Sequence, residues 1–174
     1  MEGIFSPDTY YYKKGDTTSS LLLRAYKQQK KELDKLWKNK TPGLPYQSPE
    51  DALTMASIIE KEGVEKKRIA GVFINRLNAK MRLQSDPTVI FALGKNFDGN
   101  IRKKDLRLKH PYNTYMIKGL PPGPISLVSL ESIKAALQPE ITNDYYFVSR
   151  GDGTHQFSAT LEQHNKAVKE YQLK

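Results

Sequence analysis

The sequence has no cysteine, only three histidines and a single tryptophan among its 174 residues. Without cysteine there is no disulfide framework, no thiolate metal site and no cysteine nucleophile, and the redox compartment cannot be read from the sequence. The histidines stand far apart, at positions 110, 155 and 164. Because zinc and related ions need several such ligands close together, we expect neither a metal site nor a cofactor.

A long hydrophobic run is also missing. No segment approaches the roughly 18–20 apolar residues of a transmembrane helix, and no charged and then apolar signal peptide opens the chain. Apolar residues make up 38% of the sequence and charged residues 27%, which is typical of a folded globular protein. A length of 174 residues suits one well-buried core and is short for two domains.

Positive charge, by contrast, is abundant, with a net charge of +9 at pH 7. Much of it lies in one stretch with a helical pattern, which carries Lys27, Lys30, Lys31, Lys35, Lys38 and Lys40. Such an excess suits nucleic acid, an anionic membrane surface or an acidic polymer such as cell-wall glycan, or it is only a solvated helix face. The sequence contains no phosphate-binding loop, zinc-finger pattern or aromatic nucleic-acid signature, so we expect no nucleic-acid partner.

Capping residues and apolar repeats at helical spacing predict six helices. They begin after positions 17–19, at Ser48, near Ile69, at Asp86, at Ser129 and near Leu161. The apolar stripe of the first helix would consist of Leu22, Tyr26, Leu33 and Leu36 or Trp37. Ser48 and Asp51 would form a capping box at the start of the second helix, which ends before Gly63.

Strand signals are fewer. Residues 2–12 are aromatic and predict two short extended pieces separated at Pro7. Residues 145–149 and 154–157 predict a hairpin around the turn at 151–153, and residues 95–120 are mostly irregular. Helices without strand–helix–strand alternation indicate an α+β fold, a single helix-rich domain with a small antiparallel hairpin.

The second predicted helix carries near its end a carboxylate that folding does not require. At about 100° per residue, Glu62 shares an apolar stripe with Met55, Ile58 and Ile59, and Glu60 lies roughly 160° away on a less apolar face. Burial on the stripe would raise the pKa of Glu62 and make it a candidate general acid near neutral pH. The alternative is a last-turn glutamate that points into solvent.

Two further segments combine polar and aromatic side chains. In residues 84–88, Asp86 is explained by a role as helix cap. In residues 112–115, tyrosines alternate with Asn113 and Thr114. This alternation suits a sugar, because rings cover its apolar faces while amides bond its hydroxyls, although a surface turn is an equal alternative. We interpret His155 as a hairpin residue rather than a ligand.

Seven segments together resemble one known family, the endolytic murein transglycosylases or YceG-like proteins. The segments are residues 2–10, 56–62, 72–77, 81–90, 111–115, 119–125 and 146–157, in order over nearly the whole chain. The resemblance implies that residues 1–174 form a catalytic domain with a lysozyme-like cleft at a helix end. It also implies cleavage of the MurNAc–GlcNAc β-1,4 bond of peptidoglycan to 1,6-anhydro-MurNAc ends, with Glu62 as the catalytic acid.

For contacts with the sugars we select Gln84, Asp86, Asn113 and Tyr115. Members of the family usually carry an N-terminal membrane helix and a LysM-like domain before the first motif, and we expect both to be missing here. The resemblance therefore implies a parent protein in the bacterial inner membrane with this domain on the periplasmic side. Membrane contact would come only through the missing anchor. Peptidoglycan glycan strands are the expected partner, with peptidoglycan-synthesis proteins as further candidates.

Two alternatives remain open. The first is a hydrolysing muramidase that uses Glu60 or Asp86 as a second carboxylate, because conventional glycosidases need two. The second is a non-catalytic glycan-binding or assembly module that uses its basic surface, although the intact Glu62 motif argues against it.

Overall fold

The computed structural model describes residues 2–173. Along these residues the chain forms six α-helices, two short 3-10 turns and one hairpin. The helices are α1 Thr18–Lys38, α2 Pro49–Glu62, α3 Lys66–Asn78, α4 Asp86–Leu93, α5 Leu130–Leu137 and α6 Leu161–Tyr171, and the strands are β1 Tyr146–Ser149 and β2 His155–Ser158. The predicted α+β class is confirmed, and all six predicted helices are present near their predicted bounds.

Helix α2 forms the centre of the core. It packs against α5, α3, α1 and α4, and every residue from 52 to 59 is buried. The face beside Glu60, which carries Leu53, Ala56 and Ser57, is less apolar in composition but is buried like the rest. Ser57 is satisfied inside the core, because its hydroxyl accepts a hydrogen bond from the backbone N–H of Ile125 at 2.9 Å. A helix that is buried all round carries little sidedness in its sequence.

The helix starts show which local signals are reliable. At α2, Ser48 Oγ accepts from the backbone N–H of Asp51 and the Asp51 carboxylate accepts from that of Ser48, which confirms the predicted capping box. Ser129 caps α5 as predicted. The cap prediction for Asp86 is wrong: Ser85 occupies the N-cap position of α4, and Asp86 is the first helical residue. Its carboxylate is thus free for another contact.

The N-terminal part differs most from expectation. Residues 2–12 form no strand, and within the described residues the one sheet is the β1–β2 hairpin. They are held by the buried Gln29 side chain, whose amide nitrogen donates to the carbonyls of Gly3 and Val128. Leu22 and Tyr26 are exposed, so the predicted stripe of α1 is wrong in part. The buried face of α1 consists of Ala25, Gln29 and Leu33.

The hairpin and α6 form a small second layer. β1 and β2 are antiparallel, with Tyr146 opposite Ser158 and Ser149 opposite His155. Helix α6 packs on both strands, and β1 also contacts α3. This layer stands beside the C-terminal end of α2 and leaves a cleft there. Within residues 2–173, no helix has the length and apolar character needed to cross a membrane.

Candidate active site

A cleft of about 560 Å³ opens between the end of α2, the segment leading into α4, the hairpin and α6. Its size is in the usual range for ligand sites. The charged residues that line it are Glu62, Arg76 and Asp86. The uncharged and histidine residues that line it include Gln84, Tyr115, Tyr146, Phe147, His155, Leu161, His164, Asn165 and Val168.

Glu62 is the last residue of α2 and lies half-buried in the wall of this cleft. Its carboxylate accepts a hydrogen bond of 2.5 Å from Ser85 Oγ. Burial raises the pKa of Glu62, the Ser85 hydrogen bond lowers it, nearby Asp86 raises it and Arg76 lowers it, with a net value of about 7. Near neutral pH this group can therefore both donate and accept a proton, as a general acid and base must.

Ser85 is held in position by a small buried network. Its backbone N–H donates to Thr114 Oγ1 at 3.0 Å, and its carbonyl accepts from Thr88 Oγ1 at 2.6 Å. The two threonine hydroxyls contact each other at 2.8 Å. Because Ser85 makes no cap bond to α4, its hydroxyl is left for Glu62. Ser85 was not predicted as a site residue, and nothing in the local pattern distinguishes it from an ordinary helix cap.

Arg76 was also missed as a site residue. It is buried within α3, where a charged residue among apolar neighbours was the available signal. Its guanidinium donates to the carbonyls of Tyr145 at 2.6 Å and Leu83 at 2.9 Å, and to Gln84 Oε1 at 3.2 Å. Burial lowers the pKa of Arg76, while neighbouring Tyr146, Tyr115 and Glu62 raise it. The buried cation thus joins two walls of the cleft.

Three of the predicted sugar contacts line the cleft. Gln84 is exposed there and adopts a positive φ of 53°, which is uncommon for a residue other than glycine and is held by its bonds to Arg76 and to the carbonyl of Thr114. Asp86 accepts a 2.5 Å hydrogen bond from the Tyr115 hydroxyl. Burial raises the pKa of Tyr115, and the bond to Asp86 raises it further, so that the phenol remains a hydrogen-bond donor.

Asn113 lies outside the cleft, contrary to its selection as a sugar contact. It is 0% exposed, and its amide nitrogen donates to the backbone carbonyls of Leu106 and Leu108 while its oxygen accepts from the N–H of Tyr115. A side chain with both ends bonded to backbone holds the irregular segment together. Asn113 supports the cleft indirectly, because it fixes the loop from which Tyr115 projects.

Glu60 lies away from the cleft. Its Oε2 accepts hydrogen bonds from Lys66 Nζ at 3.0 Å, Ser129 Oγ at 2.6 Å and Ser132 Oγ at 2.5 Å. Burial by itself would raise the pKa of Glu60, but the bonds from Ser129, Ser132 and Lys66 outweigh it and lower the pKa to about 2. This carboxylate fixes α3 and the start of α5 to the end of α2, and it is not part of the site.

The opposite wall, formed by the hairpin and α6, carries the largest group of residues that were missed. The His164 ring stacks on Tyr146 with centroids 5.2 Å apart, and Arg76 lies 5.1 Å from the Tyr146 ring centre. Burial and Arg76 both lower the pKa of His164. Side chains at helical spacing along α6, His164 among them, line the cleft, and this spacing was the available signal. Only Ala167 of α6 is buried, so this face of the helix belongs to the cleft rather than to the core.

The part of the chain that the structure describes has no set of side chains that could bind a metal ion. Residues 2–173 contain no group of three or more histidine, aspartate or glutamate side chains arranged to hold an ion. The cleft instead offers one glutamate poised between its two protonation states, one aspartate, one buried arginine and several aromatic rings. These groups can transfer a proton and bind a polar ligand that has apolar faces.

Comparisons with known proteins agree with this picture. The sequence profile of the YceG-like family matches residues 1–170. The chain is 41% identical over 174 residues to an endolytic murein transglycosylase of Bacillus subtilis strain 168, covering 98% of this chain and 48% of that protein. It is 34% identical over 181 residues to one of Streptococcus pneumoniae serotype 2, covering 98% of this chain and 32% of the other.

A crystal structure of a YceG-like protein from Listeria monocytogenes superposes with a TM-score of 0.80 at 42% identity. The match covers 95% of this chain and 54% of that one. The chain thus spans about half the length of the Bacillus and Listeria proteins and about a third of the Streptococcus protein.

Proposed function

Because this chain belongs to the YceG-like family, we propose that it is the catalytic domain of an endolytic lytic transglycosylase that cleaves peptidoglycan glycan strands. The observation that carries the proposal is Glu62, a carboxyl group with a pKa of about 7 in a cleft with polar and aromatic walls. The names of the relatives from Bacillus and Streptococcus support the same activity.

The proposed reaction uses one carboxyl group twice. Protonated Glu62 donates its proton to the glycosidic oxygen as the bond from MurNAc C1 to the GlcNAc oxygen breaks. The resulting carboxylate then accepts the proton of the MurNAc C6 hydroxyl as that oxygen bonds to C1. The product is a 1,6-anhydro ring, no water is consumed, and Glu62 ends in its initial protonated state.

The residues around Glu62 suit this sequence of steps. Ser85 holds the carboxylate in one orientation, so that one oxygen is bonded to the protein and the other is left for substrate. The negative charge of Asp86 would stabilise the cationic transition state at C1. Gln84 and Tyr115 offer polar groups for sugar hydroxyls from the same side of the cleft.

The second candidate is a hydrolysing muramidase, and one observation favours it. Asp86 lines the cleft and does not cap α4, so the reason for setting it aside no longer holds. Glu60 is unsuited, since all its hydrogen bonds join it to Lys66, Ser129 and Ser132. A hydrolase that retains the anomeric configuration would need its second carboxylate about 5–5.5 Å from Glu62. A hydrolase that inverts it would need a separation of roughly 6.5–9.5 Å.

Mass spectrometry of products formed in oxygen-18 water separates the candidates. Transglycosylation gives fragments that end in 1,6-anhydro-MurNAc and carry no label. We expect the cleaved bonds to lie at internal positions of the glycan strand. Reducing MurNAc ends that carry oxygen-18 would establish hydrolysis instead and make Asp86→Asn the next variant. No cleavage of sacculi or of isolated strands would favour a binding module. Glu62→Gln is the negative control, and a chelator should leave the activity unchanged.

The family also supports a proposal about the whole protein. Residues 1–174 would act on the periplasmic side of the inner membrane, with an anchor and a LysM-like domain supplied by parts of the protein outside this chain. The partial coverage of the relatives is consistent with such additional parts. Fractionation of the full-length protein, followed by protease accessibility in spheroplasts, tests the location. Cross-linking in cells would identify any peptidoglycan-synthesis partner.

A further inference from the structure

The His155 ring lies directly against the backbone that follows Glu62. A Cβ atom built on Gly63 would be 2.6 Å from His155 Cε1, closer than any real side chain could come. Gly63 has an extended φ of 163°, so its role here is to make room for the ring rather than to permit a special conformation. His155, on the far strand of the hairpin, is thereby brought next to the catalytic end of α2.

Glu65 fixes which nitrogen of that ring carries the proton. One carboxylate oxygen, Oε2, accepts from the backbone N–H of His155 at 2.9 Å and lies 2.8 Å from His155 Nδ1. A carboxylate oxygen accepts hydrogen bonds, so Nδ1 bears the hydrogen and donates it. In the neutral ring Nε2 is then a hydrogen-bond acceptor. Glu65 occupies the N-cap position of α3 but makes no cap bond, because its carboxylate is directed at His155.

The ring is also held by aromatic neighbours. Phe147 meets it edge-on with centroids 5.4 Å apart, and Phe157 does so at 6.1 Å. The His155 side chain is only 9% exposed, and it lines the cleft together with Glu62. Among the described residues Nε2 has no hydrogen-bond partner, yet it is not shut away from solvent. His155 therefore brings an acceptor of fixed orientation, which no described protein group uses, to the wall of the cleft that Glu62 also lines.

A purely structural role does not require this arrangement. The backbone bond to Glu65 already ties β2 to the turn between α2 and α3, and a residue of almost any type at position 155 would supply that N–H. A phenylalanine would fill the same space between Phe147 and Phe157. What the imidazole adds is a single acceptor whose direction is set by the protein, and orientation of this kind is characteristic of ligand-binding and catalytic histidines.

We propose that His155 Nε2 accepts a hydrogen bond from the glycan sugar bound next to Glu62, and that Glu65 is the positioning residue that holds the hydrogen of the neutral ring on Nδ1. The inference rests on the proposed function, since it names a contact of that same substrate. The donor is a sugar hydroxyl or acetamido N–H, and the bond would hold the sugar so that its glycosidic oxygen lies against Glu62.

Nitrogen-15 spectra of the imidazoles test the proposal directly, using the inactive Glu62→Gln variant and a tetrasaccharide of alternating GlcNAc and MurNAc. The chain has only three histidines, so His155 can be assigned with His110→Phe and His164→Phe. We expect the Nδ1–H tautomer in the free protein and a change of the Nε2 resonance when the tetrasaccharide binds. His110 lies outside the residues that line the cleft and is the internal control.

The possible outcomes distinguish this contact from the activity itself. A Nε2–H tautomer, or cleft amides that respond to the tetrasaccharide while His155 Nε2 does not, would overturn this inference and leave the proposed function intact. No response in the cleft, together with no cleavage by the unmodified chain, would overturn the proposed function and this inference with it.

Kinetics give a second test. His155→Phe preserves the ring packing but has no acceptor, and we expect kcat/KM to fall by about tenfold or more, the loss that follows from one well-made hydrogen bond. Glu65→Ala should lower kcat/KM in the same direction and mix the tautomers of His155 in the nitrogen-15 spectrum, which a packing defect would not do. His110→Phe is the matched control. Unchanged kcat/KM in folded His155→Phe would contradict the proposal.

Discussion

Glu60 and Glu62 are the same residue type two positions apart on one helix, and the molecule uses them in opposite ways. Around Glu60, Lys66 and two serine hydroxyls gather on one oxygen and keep the group ionised down to a pKa of about 2. Around Glu62, burial and the charge of Asp86 outweigh Ser85 and Arg76 and bring the pKa to about 7. About five pKa units between such neighbours come from their surroundings alone.

The comparison separates stability from chemistry. A carboxylate surrounded by donors stabilises the fold but is a poor acid, because its neighbours favour the ionised form. A carboxyl group with few donors can exchange a proton at neutral pH, but its ionised form opposes folding. The first arrangement joins α2 to α3 and α5, while the second lies at the open end of the same helix.

The largest expected effect is on activity. Glu62→Gln should lower the cleavage rate by at least about 10²-fold, because an amide of the same shape has no acidic proton to give. Glu60→Gln is the matched control and should keep most of the activity per folded molecule. The measurement is the release of soluble glycan fragments from sacculi. An inactive Glu60→Gln combined with an active Glu62→Gln would reverse the roles assigned above.

The same two variants should shift stability in opposite directions. The pKa of Glu60 is lowered on folding, so its contribution is present above pH 4.5 and is lost as pH falls towards 2. The pKa of Glu62 is raised, so folding is disfavoured as pH rises from 4.5 to 7. At pH 8 we expect Glu60→Gln to destabilise by about 2 kcal/mol and Glu62→Gln to stabilise by about 1–3 kcal/mol.

Urea unfolding curves at pH 8 and pH 4 measure these differences. The gain from Glu62→Gln should shrink at pH 4, where the carboxyl group is protonated in the folded protein and mostly so in the unfolded chain. A Glu62→Gln variant that is less stable than the unmodified protein at pH 8 would show that Ser85 contributes more than burial removes.

A smaller effect should appear in the pH dependence of the rate. The first step needs protonated Glu62, so kcat/KM should decline as pH rises through about 7. Asp86 raises the pKa of Glu62, so Asp86→Asn should move the decline to lower pH. The measurement is kcat/KM as a function of pH for the unmodified protein and for Asp86→Asn, on the same glycan substrate. If kcat/KM of Asp86→Asn declines at the same pH as that of the unmodified protein, the carboxyl groups of Asp86 and Glu62 do not interact.

The smallest effect concerns the exposed lysines of α1. Lys27, Lys30, Lys31, Lys35 and Lys38 are carried by α1, and binding to sacculi or anionic vesicles should weaken as salt rises, with screening over about 8–10 Å. Replacing Lys31, Lys35 and Lys38 by glutamine should lower the affinity on the order of 3- to 10-fold. The control replaces Lys95, Lys103 and Lys104. Equal losses in both variants would show that only net charge matters.

Local signals in the sequence predicted the start of a helix and the position of a turn correctly. Ser48 with Asp51 predicted the start of α2, and the glycines at 151 and 153 marked the hairpin, because caps and turns depend on neighbours a few residues apart. The sequence singled out Glu62 because it shares an apolar stripe with Met55 and Ile58, and this argument is only partly correct. Helix α2 is buried on all sides, so the stripe was not its only apolar face.

Contacts between distant segments were not predicted. Asp86 fits the pattern of a cap, yet its partner is Tyr115, 29 residues away. Asn113 fits the pattern of a sugar ligand, yet nearby carbonyls use its amide. Ser85, Arg76 and His155 acquire their roles only when α3, the loop before α4 and the hairpin come together. Residue type and spacing along the chain do not show which loop packs against which helix.

The guanidinium of Arg76 has a consequence for how the cleft receives its ligand. One planar group bonds Tyr145 at the base of the hairpin and Leu83 and Gln84 on the facing segment, so it acts as a spacer of fixed length between the two walls. A lysine has one point of attachment and could not bridge both. The width of the cleft is therefore set before a ligand binds, and less ordering entropy opposes binding than in a cleft whose walls move independently. The geometry of the cleft thus depends on a buried cation that also lowers the pKa of Glu62.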